Sequence, residues 1–162
     1  MSFPEQFNLP DRQRPVHPPP IDATNRSIIV FVTVCTKDRQ QILVSPAMHA
    51  ALLGTWRDAS HWLVGRYVVL PDHIHLFCAP GTIPPMPLRN WVKYWKGRMA
   101  KTVGCGAEAL WQKNFWDTQL RRGESYAAKW EYVRNNPVRH RLVASIGDWP
   151  YQGELNALRW YD

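Results

Sequence analysis

The chain of 162 residues carries 20 Lys and Arg against 13 Asp and Glu, a formal net charge of +7, with 45% hydrophobic and 20% charged residues. That is ordinary globular usage for one domain with a real core, and it excludes a wholly disordered chain. No uncharged apolar run is long enough to span a bilayer, no basic start leads into an apolar core, and Cys35, Cys78 and Cys105 are scattered without a CxxC pair. A membrane span, a secretory signal, a disulfide framework and a zinc–thiolate site are therefore disfavoured, and a cytoplasmic protein is expected.

Residues 1–26 hold six prolines and little apolar content, which reads as a proline-rich N-terminal arm. Ser27 to Thr36 (SIIVFVTVCT) is β-branched and aromatic, the pattern of a buried strand. Ser45 before Pro46 is an N-cap followed by proline at the first helical position, and opens a helix to about Ser60. Val64 to Leu70 is a second strand, Pro71-Asp72 a turn, and His73 to Ala79 a third strand. After the proline-rich loop 81–87, a helix is expected from Leu88 to Val103, ended by Gly104-Cys105-Gly106. Residues 110–121 read as a fourth extended segment. A last helix over Gly123–Asn135 stops at Pro137, because the residue before proline is pushed out of the helical region. The folded domain is expected over 27–151, with 152–162 as a C-terminal tail. The order β-α-β-β-α-β-α predicts an α+β, ferredoxin-like sandwich, a central antiparallel sheet with helices packed on it. Such a fold leaves function open.

The positive charge is concentrated. Residues 89–141 hold twelve Lys and Arg and four Asp and Glu, a net +8, whereas the rest of the chain nets −1. Aromatic residues (Trp91, Tyr94, Trp95, Trp111, Phe115, Trp116, Tyr126, Trp130, Tyr132) interleave with them. Clustered cations neutralise phosphates and rings stack on unpaired bases, so a nucleic-acid partner is one reading. A solvated basic face over an aromatic core is the other.

Two patterns carry chemistry. His73 and His75 are two apart on a strand, so both imidazoles project from one face while Ile74, Leu76 and Cys78 project from the other. Such a pair can grip one divalent cation, or be two half-exposed edge histidines. On the last helix Tyr126, Trp130 and Val133 form the core stripe, and Ser125, Lys129, Tyr132 and Asn136 share a neighbouring one. A phenol there can attack phosphorus, with the Asn136 amide completing a metal set, or Tyr132 can simply cap the core with its hydroxyl in water.

YVVLPDHIHLF (Tyr67 to Phe77), then LWQKNFWDTQLRR, then WEYVRNNPVRHRLV and the terminal DWPY (Asp148 to Tyr151) together resemble the REP-associated tyrosine transposases. These are a branch of the single-tyrosine HUH transposases. Two local departures stand out: Asp117-Thr118 where relatives often have Asp-His, and His140-Arg141 where they have small residues. The resemblance implies an HUH endonuclease fold, Tyr132 as nucleophile, and His73, His75 and Asn136 as ligands of Mg²⁺ or Mn²⁺. It implies cleavage and rejoining of single-stranded or hairpin DNA through a 5′-phosphotyrosine, with a metal-bound water or Lys129 as conceivable base. DNA contacts are expected from Lys93, Lys96, Arg98, Lys101, Arg121, Arg122, Lys129 and Arg134, on one continuous positive surface leading to the histidines. Neither a membrane nor a small-molecule substrate is expected, and monomer and homodimer are both open. The alternatives are a catalytically inactive binder of DNA hairpin repeats and, third, a zinc hydrolase. The last lacks an acidic partner if Asp72 points away from the histidines, as strand alternation suggests.

Overall fold

The computed structural model describes residues 28–160, so the proline-rich arm lies outside the described residues. Five strands, β1 (Val30–Cys35), β2 (Trp62–Leu70), β3 (His73–Pro80), β4 (Trp116–Gln119) and β5 (Gln152–Glu154), form one antiparallel sheet in the order β4-β1-β3-β2-β5. The helices are α1 (Pro46–Asp58), α2 (Leu88–Val103), one-turn α3 (Ala107–Leu110), α4 (Tyr126–Arg134) and one-turn α5 (Asn136–Arg139). This is the expected α+β sandwich.

Alternation along the central strands divides the molecule into two layers. Ile74, Leu76 and Cys78 of β3 join Val30, Val32 and Val34 of β1 in a core closed by Leu52 and Trp56 of α1 and Trp91, Trp95 and Met99 of α2. On the opposite face Phe77 joins Ile29, Val68 and Leu70 in a smaller core closed by Tyr126 and Val133 of α4 and by Trp149. His73 and His75 share the parity of Phe77 and lie on this second face.

Local signals account for most element ends. Ser45 Oγ accepts from Met48 N–H and Ser125 Oγ from Ala128 N–H, each capping a helix start. Gly104 ends α2 at φ 90°, a left-handed conformation open to glycine without strain. At the β2 bulge, a Cβ on Gly65 would stand 2.7 Å from the Tyr126 hydroxyl, so only glycine lets that phenol accept from Arg66 N–H at 3.0 Å.

Several elements differ from expectation. The extended segment over 110–121 condenses to the four residues of β4, preceded by α3. The last helix is interrupted: α4 ends at Arg134, Asn135 caps it, and α5 restarts at Asn136 with Pro137 in its first turn. Residues 152–160, read as a tail, are part of the folded unit, since β5 pairs with β2 and Leu158 and Trp160 pack on the second core. The DWPY segment docks there, with Trp149 Nε1 donating to Val69 O and Val69 N–H donating to Tyr151 O. Among the described residues, no helix is long and apolar enough to cross a membrane.

Candidate active site

The two-residue turn Pro71-Asp72 delivers His73 as the first residue of β3. Register then determines the neighbours: Thr33 of β1 lies directly opposite His75, and Cys35 opposite His73. Both imidazoles are buried, at 1% exposure each, with their Nε2 atoms 3.2 Å apart. His75 stacks on Phe31 at 5.4 Å between ring centroids.

Each outer nitrogen is held. His73 Nδ1 lies 2.7 Å from Asp72 Oδ1, and His75 Nδ1 lies 2.8 Å from Thr33 Oγ1. This corrects the expectation that Asp72 points away. Alternation applies to residues within a strand, and Asp72 sits in the turn before β3. Its carboxylate is braced from the other side by Arg39 Nε at 3.1 Å. Burial alone would raise the Asp72 pKa, but the hydrogen bond from His73 and the charges of His73 and Arg39 outweigh it and hold the carboxyl below its ordinary value.

Burial pushes His73 down to about 4, against the Asp72 hydrogen bond and charge that raise it. Burial, then the charge of His73, pushes His75 well below its ordinary value. Both are therefore neutral at pH 7, the form that ligates metal. A carboxylate only accepts, so His73 Nδ1 carries the proton and its Nε2 is bare. The 3.2 Å contact then requires His75 Nε2–H to donate to His73 Nε2, with the Thr33 hydroxyl donating to His75 Nδ1. Because a hydroxyl also accepts, Thr33 equally suits the other tautomer of His75, in which Nδ1–H donates to Thr33 Oγ1 and both Nε2 atoms are bare for a metal.

These residues fit a divalent cation. Two ligands ~2.0–2.1 Å from one ion at ~90–109° stand roughly 2.8–3.4 Å apart, which brackets the observed spacing of 3.2 Å. Among the described residues no cluster of three His, Cys, Asp or Glu side chains forms, so a third donor from among them is of another type.

The tyrosine helix lies on the same face. Tyr132 is 55% exposed, off the core stripe of Tyr126 and Val133. Its ring faces the Arg139 guanidinium at 4.3 Å, and the charge of Arg139 acts on His75. Asn136, the first residue of α5, is buried, and its Nδ2 donates to Val133 O at 2.8 Å, leaving Oδ1 uncommitted by that bond. One turn on, His140 N–H donates to Asn136 O, and the His140 ring lies 6.3 Å from His73. Sequence reasoning singled out neither Arg139 nor His140 for the site. Their positions one turn beyond Asn136 were the available signal. Tyr126 is excluded as a nucleophile, since burial pushes its phenol up to about 12 and its oxygen accepts from Arg66 N–H.

The basic residues do not form one surface leading to the histidines. Lys93, Lys96, Arg98 and Lys101 lie on α2, across the sheet. Lys96 is buried and donates to the carbonyls of Gln112 and Lys113, so it ties α2 to the segment before β4 and is no DNA contact. Arg98 pairs with Asp58 at 3.8 Å. Arg121 and Arg122 are exposed at the turn before α4. Lys129 is held by Glu124 at 2.8 Å and Arg134 by Glu131 at 3.1 Å.

A five-stranded antiparallel sheet with a His-hydrophobic-His strand at its centre and a tyrosine helix on the same face defines the HUH-type α+β fold. Comparison with known proteins finds similar sequences and a similar fold. The chain is 27% identical over 124 residues to a REP-associated tyrosine transposase of Escherichia coli, covering 75% of this chain and 73% of that protein. It is 28% identical over 138 residues to a Haemophilus influenzae protein provisionally named in the same family, covering 76% and 77% of the two chains. A solved REP-associated tyrosine transposase bound to a REP hairpin superposes with a TM-score of 0.68 at 22% identity, over 89% of this chain and 82% of that one. No family model matches. The chain is a relative of the REP-associated tyrosine transposases.

Proposed function

We propose that this protein is a metal-dependent DNA transposase that cleaves and rejoins single-stranded or hairpin DNA through Tyr132. The observation that carries the reading is the buried, neutral His73–His75 pair, with facing Nε2 atoms, on the same face as an exposed tyrosine. The hairpin bound in the structurally similar transposase supports a hairpin substrate here.

In this reading His73, His75 and Asn136 would hold Mg²⁺ or Mn²⁺, which would supply Lewis-acid polarisation of the scissile phosphate. Asp72 and Thr33 fix the two imidazoles from behind. Tyr132 Oη loses its proton and attacks phosphorus, the bond to the 3′ oxygen breaks and that oxygen takes up a proton, so the upstream segment leaves with a 3′-hydroxyl while the 5′ phosphate of the downstream segment stays esterified to the tyrosine. Attack by another 3′-hydroxyl reverses the step and restores the phenol. Arg139 holds the exposed ring in place and adds positive charge beside the reacting phosphate. The Lys129 ammonium, the other candidate base, is engaged by Glu124 at 2.8 Å.

The test is incubation with a labelled DNA hairpin carrying single-stranded flanks, with Mg²⁺ or Mn²⁺ and with chelator. A cation-dependent covalent adduct on Tyr132, located by mass spectrometry of the digest, is expected. Tight hairpin binding with no adduct under any of these conditions would favour the inactive binder.

A further inference from the structure

Across the sheet from the histidines, α2 presents a face that the chemistry above does not use. Its sixteen residues contain no Asp or Glu. Arg89, Lys93 and Lys101 are exposed, and among the described residues none of them has an ion pair. They lie on one i, i+4 row whose remaining member is Gly97, and the row runs about 18 Å along the helix. That is roughly five phosphates of one duplex strand at ~3.4 Å of axial rise each.

Gly97 is the informative member. Glycine inside a helix is destabilising relative to alanine, and a Cβ at Gly97 would meet nothing within 4 Å, so internal packing does not require its absence. What glycine provides there is a notch between two ammonium groups, one turn to either side, where a ligand's backbone can approach the helix closely. Gly54 of α1 is equally open, but its neighbours one turn away are Ala50 and Asp58, so it has no such setting.

The aromatic residues of α2 decide between duplex and single strand. Single-strand sites stack bases on exposed rings. Here Trp91 and Trp95 are fully buried, and the exposed Tyr94 has the Arg98 guanidinium 5.7 Å from its ring centroid. The face offers a row of cations and a notch with one exposed ring, Tyr94, where a single-strand site uses a run of rings.

We propose that the row Arg89–Lys93–Gly97–Lys101 is a second DNA-contact surface, seating the phosphate backbone of a double-stranded stem on the layer opposite the histidines. The proposal rests on the reading of the chain as a DNA-binding protein, but adduct formation at Tyr132 enters none of its readouts. The experiment measures affinity of the full chain for a blunt DNA duplex, and for a single strand of equal length, across a salt series. Lys93→Gln/Lys101→Gln should weaken duplex binding and lower the magnitude of its salt slope by about 1.8, at ~0.9 per phosphate contact. Gly97→Ala should raise the melting temperature yet weaken duplex binding several-fold, while Gly54→Ala raises the melting temperature and leaves binding alone. A Lys93→Gln/Lys101→Gln protein that melts normally and keeps the wild-type slope overturns the proposal, as does an equal loss on the single strand.

Discussion

The two faces of the sheet are built from the same strands and differ in what they leave open. The face under α1 and α2 is sealed by Trp56, Trp91, Trp95 and Trp111, each buried to within 2% of full exclusion. Two of their indoles donate to backbone carbonyls, Trp91 to Ala59 O and Trp111 to Lys96 O. The face under α4 and α5 has the smaller core and buries His73, His75 and Asn136 beside it. One strand, β3, serves both by alternation, so the large core holds rigid the residues that present imidazoles on the other side. The larger core lies on one face and the proposed chemistry on the other.

Substitutions can break that division. The largest effect is expected from Tyr132→Phe, which should abolish the covalent adduct while leaving folding and DNA affinity near normal. Tyr126→Phe, on the core stripe of the same helix, should still form it. Adduct at the wild-type rate in Tyr132→Phe would remove the proposed chemistry from this face. On the other face, Trp95→Ala should cost about 3–5 kcal/mol of unfolding free energy, as buried aromatic truncations do. An unfolding free energy that falls by under about 1 kcal/mol would show that the tryptophan layer is not what supports the sheet.

Acid sharpens the contrast. The unfolded chain protonates His73 at the ordinary value of 6.5, the folded chain only near 4. Between those values protons bind preferentially to the unfolded chain. Stability is therefore intact above 6.5, falls as the pH drops toward 4 by about 3 kcal/mol for this residue, and levels off below. His75 acts in the same direction. Thermal melts in chelator from pH 7 to 4 should follow that course, and a flat profile would contradict a buried neutral pair. The smallest effect is expected at Arg139. An exposed cation–π contact is worth ~0.5–1 kcal/mol, so Arg139→Gln should slow adduct formation about two- to fivefold, with Arg139→Lys recovering part of the rate. An unchanged rate in Arg139→Gln would mean that the Tyr132 ring is positioned by something else.

The face that carries the histidines was legible because strand parity is a strong constraint: His73 and His75 could not be separated without breaking the run of Ile74, Leu76 and Cys78. The α2 boundaries were equally legible, from the proline-rich loop before it and Gly104 after it. Other features escaped for identifiable reasons. Lys96 was read as a surface cation although it falls on the helical stripe of Val92, Met99 and Ala100, and a helical projection of α2 would have placed it inward. Asp72 was misplaced by extending alternation into a turn. The break at Asn135 was invisible because Pro137 stops a helix or opens the next one equally well, and tertiary packing chooses. Strand β5 has three residues, Gln-Gly-Glu, with no hydrophobic pattern, and forms because β2 offers it an open edge.

That last strand has a consequence for how the protein behaves among copies of itself. The sheet ends in β4 on one side and β5 on the other, of four and three residues. A neighbouring chain that paired with either edge would gain only a few backbone hydrogen bonds, whereas the long hydrophobic strands that could template cross-chain ladders, β2 and β3, are covered on both flanks. Short terminal strands are a common guard against edge-to-edge aggregation. Here a polar tripeptide pairs with Arg66, Tyr67 and Val68 and so blocks the middle of the outer edge of β2.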